Sequence, residues 1–101
     1  MTDRFKSVVE EWFIDKFPFT IQEVHEYKII NDNTTLSSWS TSSLDVIELF
    51  IKIENEYGIT ISLSDMSYVD FTRMRFCHMC NFIERKYKNK ILTNLNNKLE
   101  K

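Results

Sequence analysis

Five serines crowd positions 37 to 43, namely Ser37, Ser38, Ser40, Ser42 and Ser43, and the last two stand directly before Leu44-Asp45-Val46-Ile47-Glu48-Leu49. Serine is an ordinary loop and helix-cap residue, so any chemical role for one of them needs a surrounding pattern. Ser43, Asp45 and His78 supply the residue types of a hydrolase triad. The chain has no G-x-S-x-G elbow and only two histidines, which argues against that use. Cys77-His78-Met79-Cys80 has C-x-x-C spacing, and His25 could be imagined as a further zinc ligand. A structural zinc normally takes two ligand pairs at compatible spacing, whereas these cysteines fall inside an apolar helical stripe, where free cysteine packs as a small hydrophobe. One glycine in the whole chain leaves no glycine-rich phosphate loop. The residues therefore point to no catalytic constellation and no metal site.

The elements that position these residues read as helices. Phe5, Val8, Val9, Trp12 and Phe13 recur at spacings of three and four, which predicts a helix near 2–17 with Thr2 as its cap and Pro18 as its stop. Residues 19–42 hold no sustained period and read as a long structured loop, a usual place for a functional site. Ser43–Tyr57 is the clearest helix: Val46, Leu49, Phe50, Ile53 and Tyr57 form one stripe, Ser42 or Ser43 can cap it, and Gly58 suits the left-handed position that closes it. Ile59 and Ile61 belong to an extended connector that buries them. Ser64 or Asp65 can start a short helix near 64–70, and Phe76, Met79, Cys80, Ile83 and Tyr87 mark a last core helix near 73–88. Beyond it, Ile91, Leu92, Leu95 and Leu99 share one possible face, but the many asparagines are poor helix formers, so 89–101 reads as a helical extension or a disordered tail.

Composition agrees with this reading. The chain has 101 residues, 43% of them hydrophobic, with a net charge of −2, enough for one folded domain and too little for two. A single Gly and a single Pro are too few turn residues for a many-stranded sandwich or barrel. The expected fold class is all-α: a four-helix bundle, with a long loop between the first and second helices and a short third helix. No apolar run reaches a membrane span and the N-terminus lacks the pattern of a signal peptide, so the default address is cytoplasmic. Charge is uneven. Residues 1–70 hold 5 Lys/Arg against 13 Asp/Glu, while residues 71–101 hold 8 against 2. RKYKNK is a single short cluster and the pI is about 5.7, which weighs against nucleic acid as the partner.

The stretch Ser43-Leu44-Asp45-Val46-Ile47-Glu48-Leu49, followed by a helix ending at Tyr57 and by Gly58-Ile59-Thr60-Ile61, resembles acyl carrier proteins and the related peptidyl and D-alanyl carriers. Their pattern is D-S-L-(D)-x-x-E-L, a helix closing on an aromatic residue, then G-I-x-(I/V). The likeness extends more weakly over residues 3–87. It implies a carrier domain at 1–88 with an appended basic tail at 89–101, and it implies that Ser43 bears 4′-phosphopantetheine, on whose thiol an acyl or aminoacyl group rides as a thioester. The implied partners are a phosphopantetheinyl transferase and the loading and condensing enzymes of fatty acid or polyketide biosynthesis, served by a monomeric, non-catalytic carrier. Two positions depart from the pattern: Ser42 stands where Asp is usual, and Ser40 where Gly is frequent. In the family that aspartate helps the transferase and its metal find the serine.

The physics of the segment fits this implication. A helix N-terminus carries unpaired N–H groups and about half a unit of positive charge, which favours a phosphate. Leu44, Ile47 and Ile51 are apolar residues off the core stripe, and Asp45, Glu48 and Glu54 rim them. Such an acidic rim around a small apolar patch suits docking to basic partner enzymes. The competing expectation is a carrier-like interaction module that keeps this face and is never loaded.

Overall fold

The computed structural model describes residues 1–39 and 41–99, with side chains up to residue 93; Ser40 and the side chains of Leu95 and Leu99 lie outside the described residues. Among the described residues the regular elements are all helical: α1 (Asp3–Lys16), α2 (Ile21–Glu26), a 3-10 turn (Leu36–Trp39), α3 (Ser43–Tyr57), α4 (Tyr68–Arg73), α5 (Phe76–Lys86) and α6 (Lys88–Leu99).

Hydroxyl residues start most of the helices. Thr2 accepts from the Phe5 amide, Ser42 from Asp45 and Ser67 from Asp70, each taking one of the N–H groups that a helix start leaves without an intrahelical partner. α2 begins with a full capping box, in which Thr20 accepts from the Glu23 amide while Glu23 reaches back to the Thr20 amide. α5 has no side-chain cap. Its first amides are met by loop carbonyls instead, Phe76 donating to Thr34 at 2.9 Å and Cys77 to Asp32 at 3.1 Å, so the long loop is fastened to the helix it crosses. α3 closes at Gly58, whose φ of 66° lies in the left-handed region that glycine enters without a Cβ clash.

The core forms where the stripes of α1, α3 and α5 meet: Phe5, Val9, Trp12 and Phe13 from the first, Leu49, Phe50 and Ile53 from the second, Phe76, Met79 and Ile83 from the third. Ile59 and Ile61 are buried as the connector pattern predicts. Trp39 lies against Phe13 at 4.8 Å and Phe76 at 5.7 Å, and Phe17 stacks on Phe13 at 4.6 Å. These rings pin the 3-10 turn that leads into α3, since each buried aromatic contributes about 1.5–3 kcal/mol through removal from water. Cys80 is buried in the stripe of α5.

Two expectations need correction. The 19–42 loop contains α2 and the 3-10 turn; one buried side chain, Val24, gives α2 too little periodicity to be seen. The short helix expected near 64–70 occupies Tyr68–Arg73, because Ser67 and Asp70 supply the cap while Ser62 to Met66 form turns. Of the two alternatives for the segment after residue 88 the helical extension is the one observed, over Lys88–Leu99, and Ile91 is half-buried against the core. The element count thus exceeds four.

Candidate functional site

Ser43 is the first residue of α3 and is exposed. Its neighbour Ser42 does the capping, with its Oγ accepting from the Asp45 amide at 3.2 Å, and the Ser43 hydroxyl makes no hydrogen bond to another described residue. The Ser43 hydroxyl is therefore left free of the cap. Trp12 fixes this helix start from α1, its Nε1 donating to the Asp45 carbonyl at 2.9 Å. Thr41 completes the approach with a hydrogen bond to the Leu36 carbonyl at 3.4 Å.

Ser43 also lines a cleft of about 250 Å³ between the start of α3 and α4, together with Thr41, Val46, Ile47, Tyr68, Val69 and Thr72. The Tyr68 ring that lines it meets Phe50 at 5.1 Å, and Phe50 meets Phe71 at 5.0 Å, both edge to face, so the core aromatics hold that wall in place. Val46, Ile47 and Val69 give it apolar wall, and Thr41, Ser43, Tyr68 and Thr72 bring hydroxyls to its lining. The volume suits part of a slender chain and is well below that of most drug-sized ligand sites. Tyr68, Val69 and Thr72 could not be picked out in the sequence, since their helix was expected several residues earlier.

The residues expected on the outer face are placed as follows. Leu44 is 63% exposed and Ile51 48%, large values for apolar side chains on an amphipathic helix. Ile47 is half-buried and turned to the cleft. Asp45 and Glu48 are half-exposed, and Glu48 pairs with Lys16 of α1. Glu54 is directed inward, its Oε2 accepting from the Ile61 amide at 2.7 Å. The sequence could not show that, because the amide belongs to an irregular connector.

Among the described residues no group of three or more His, Cys, Asp or Glu is placed to hold a metal ion. His25 lies 2.6 Å from Glu10 Oε2, far in sequence from Cys77 and Cys80, and burial pushes the Cys80 thiol up from its ordinary range. His78 contacts Arg75 and not Asp45 or Ser43, so the triad residue types are not assembled.

The structure thus places an exposed serine at a capped helix start beside an apolar cleft. The family model for the phosphopantetheine attachment site matches residues 20–71, from the cap of α2 to Phe71 in α4. This is more than half of the chain, and the chain belongs to that family, whose domains are sites of covalent 4′-phosphopantetheine attachment and generally act as carriers. Comparisons with curated proteins and with solved structures found no match. No helix among the described residues is long and apolar enough to cross a membrane.

Proposed function

We propose that Ser43 is the attachment residue and that the chain carries an acyl or aminoacyl intermediate to partner enzymes. The observation that supports this most directly is the exposed Ser43 hydroxyl at the start of α3, released from capping by Ser42. The residues present fit the group. Ser43 Oγ offers an accessible hydroxyl for a phosphodiester, the first turn of α3 offers a favourable field for its phosphate, and the cleft beside it offers apolar wall to whatever hangs from it. When bound, the group supplies a terminal thiol on a flexible arm, which holds cargo as a thioester. The chain itself then orients and presents: Trp12 and the aromatic cluster hold α3 still, and Leu44 and Ile51 form an apolar landing patch.

In this reading Asp45 supplies the unpaired acidic charge that steers basic partners, Glu48 beside it is paired with Lys16, and Glu54 supports the connector. The four helices of the carrier bundle are α1, α3, α4 and α5, with α2 inserted in the long loop. Residues 1–88 make the carrier domain and α6 is an appendage. Incubation with coenzyme A and a broad-specificity phosphopantetheinyl transferase, read by mass spectrometry, tests the assignment. One phosphopantetheine mass is expected on the native chain and on Ser42→Ala, and none on Ser43→Ala. An unmodified native chain, or equal modification of Ser43→Ala, overturns it; the first result would favour the unloaded interaction module.

A further inference from the structure

The two halves of this chain carry opposite charge, and they satisfy it unequally. In the acidic half, Glu11 meets Lys52 at 3.5 Å, Glu56 meets Arg4 at 3.4 Å, Glu48 meets Lys16, and Glu54 binds an amide. In the basic half, Arg85, Lys88 and Lys90 are exposed and form no ion pair among the described residues. Lys86 reaches Asp65 only at 3.7 Å, and Arg75 meets no carboxylate, its partners being Asn33 Oδ1 at 3.3 Å and His78 Nε2 at 2.8 Å. An unpaired cation projects its field into solvent, whereas a paired one largely cancels it.

Two of these cations, Arg85 and Lys86, line an open groove along α5 together with His78, Asn81 and Phe82. His78, Asn81 and Arg85 follow at spacings of three and four, so they form one stripe of donors rising about 10 Å along the helix. Phe82 is half-buried beside them and no carboxylate lines the groove. None of these residues lines the cleft beside Ser43, so the groove stands apart from the proposed function.

We propose that this face of α5 docks an acidic helical segment of a partner protein. Carboxylates one turn apart on a helix rise about 5–6 Å, which matches the steps between His78, Asn81 and Arg85. Phe82 offers an apolar seat between them, and Arg85, Lys88 and Lys90 supply the steering charge. Other occupants fit less well. A lipid surface calls for a broad apolar face, and this one has a single half-buried ring. A nucleic acid would meet the acidic half of the chain along its length. A second copy would bring its unpaired carboxylates only singly, since Asp3 and Asp15 stand at opposite ends of α1 and Glu26, Asp45 and Asp70 lie on three different helices.

Titration of the ¹⁵N-labelled full chain at low salt with a synthetic helical peptide, bearing Glu one turn apart around a leucine stripe, tests the proposal by nuclear magnetic resonance. Shifts confined to α5 and the start of α6 are expected. Arg85→Glu/Lys88→Glu should weaken binding about tenfold or more, the neutral Arg85→Gln/Lys88→Gln should lose less, and Lys28→Glu, outside the groove, should bind as the native chain does. Circular dichroism verifies that the exposed substitutions leave the helices intact. Absent binding, unchanged binding by the charge-reversed variant, or shifts centred on α3 would overturn the proposal. So would tighter binding of phosphatidylserine vesicles or of a single-stranded oligonucleotide.

Discussion

Adjacent serines do different work at the start of α3. Ser42 faces the backbone and Ser43 faces solvent, so the substitution of serine for the usual aspartate at position 42 preserves the cap while removing a carboxylate from beside the hydroxyl. Ser42→Ala should cost about 1 kcal/mol in urea unfolding, since the Asp45 amide loses its acceptor. Ser42→Asp should keep that stability and raise the rate of pantetheine addition measured by mass spectrometry. An unchanged rate would mean that the carboxylate is dispensable in this chain. The serine pair was legible in the sequence as a pattern, but which of the two caps depends on where helical backbone begins, a one-residue choice that periodicity does not resolve.

At the scale of elements, α3 was readable because three independent signals agree: an unbroken apolar stripe, a serine start and a glycine stop. Gly58 is the sharpest of these. Gly58→Ala should lower stability by about 1 kcal/mol in denaturant, through the cost of a Cβ in the left-handed region, with no effect on the exposure of Ser43. α2 was missed although its capping box, Thr20 to Glu23, stands in the sequence, because six residues with one buried side chain carry almost no period. α4 was misplaced because Ser62, Ser64 and Ser67 all compete as starts, and only the packing of Phe71 against Phe50 selects Ser67. α6 overrode the poor propensity of its asparagines, with Ile91 seated against the core. The α1–α2 contact was not legible either: Glu10 is 8% exposed and its Oε2 has only the His25 ring nearby, 2.6 Å away and off the line of a hydrogen bond.

Across the whole molecule, one polar knot ties three helices. Glu84 of α5 accepts from Tyr57 of α3 at 2.7 Å and from Thr2 at the start of α1 at 2.8 Å, and Arg4 lies 4.4 Å over the Tyr57 ring. Burial first, then the Glu84 carboxylate, raises the Tyr57 phenol well above its ordinary value of 10.0, and burial raises the Cys80 thiol above 9.0. The folded chain therefore holds these protons more tightly than the unfolded chain does. Stability is complete below the ordinary values and falls as pH rises through and beyond them. Urea midpoints should drop progressively above pH 9 and more steeply above 10. Tyr57→Phe should flatten the upper part of that fall while costing about 1 kcal/mol at neutral pH. An unaltered slope would show that Tyr57 does not carry it. The indole of Trp12 offers a different kind of access to the molecule. Of the two tryptophans, it is the one hydrogen-bonded to the first turn of α3. Its emission wavelength and lifetime are therefore an intrinsic optical gauge of that turn, readable without any label as phosphopantetheine is attached.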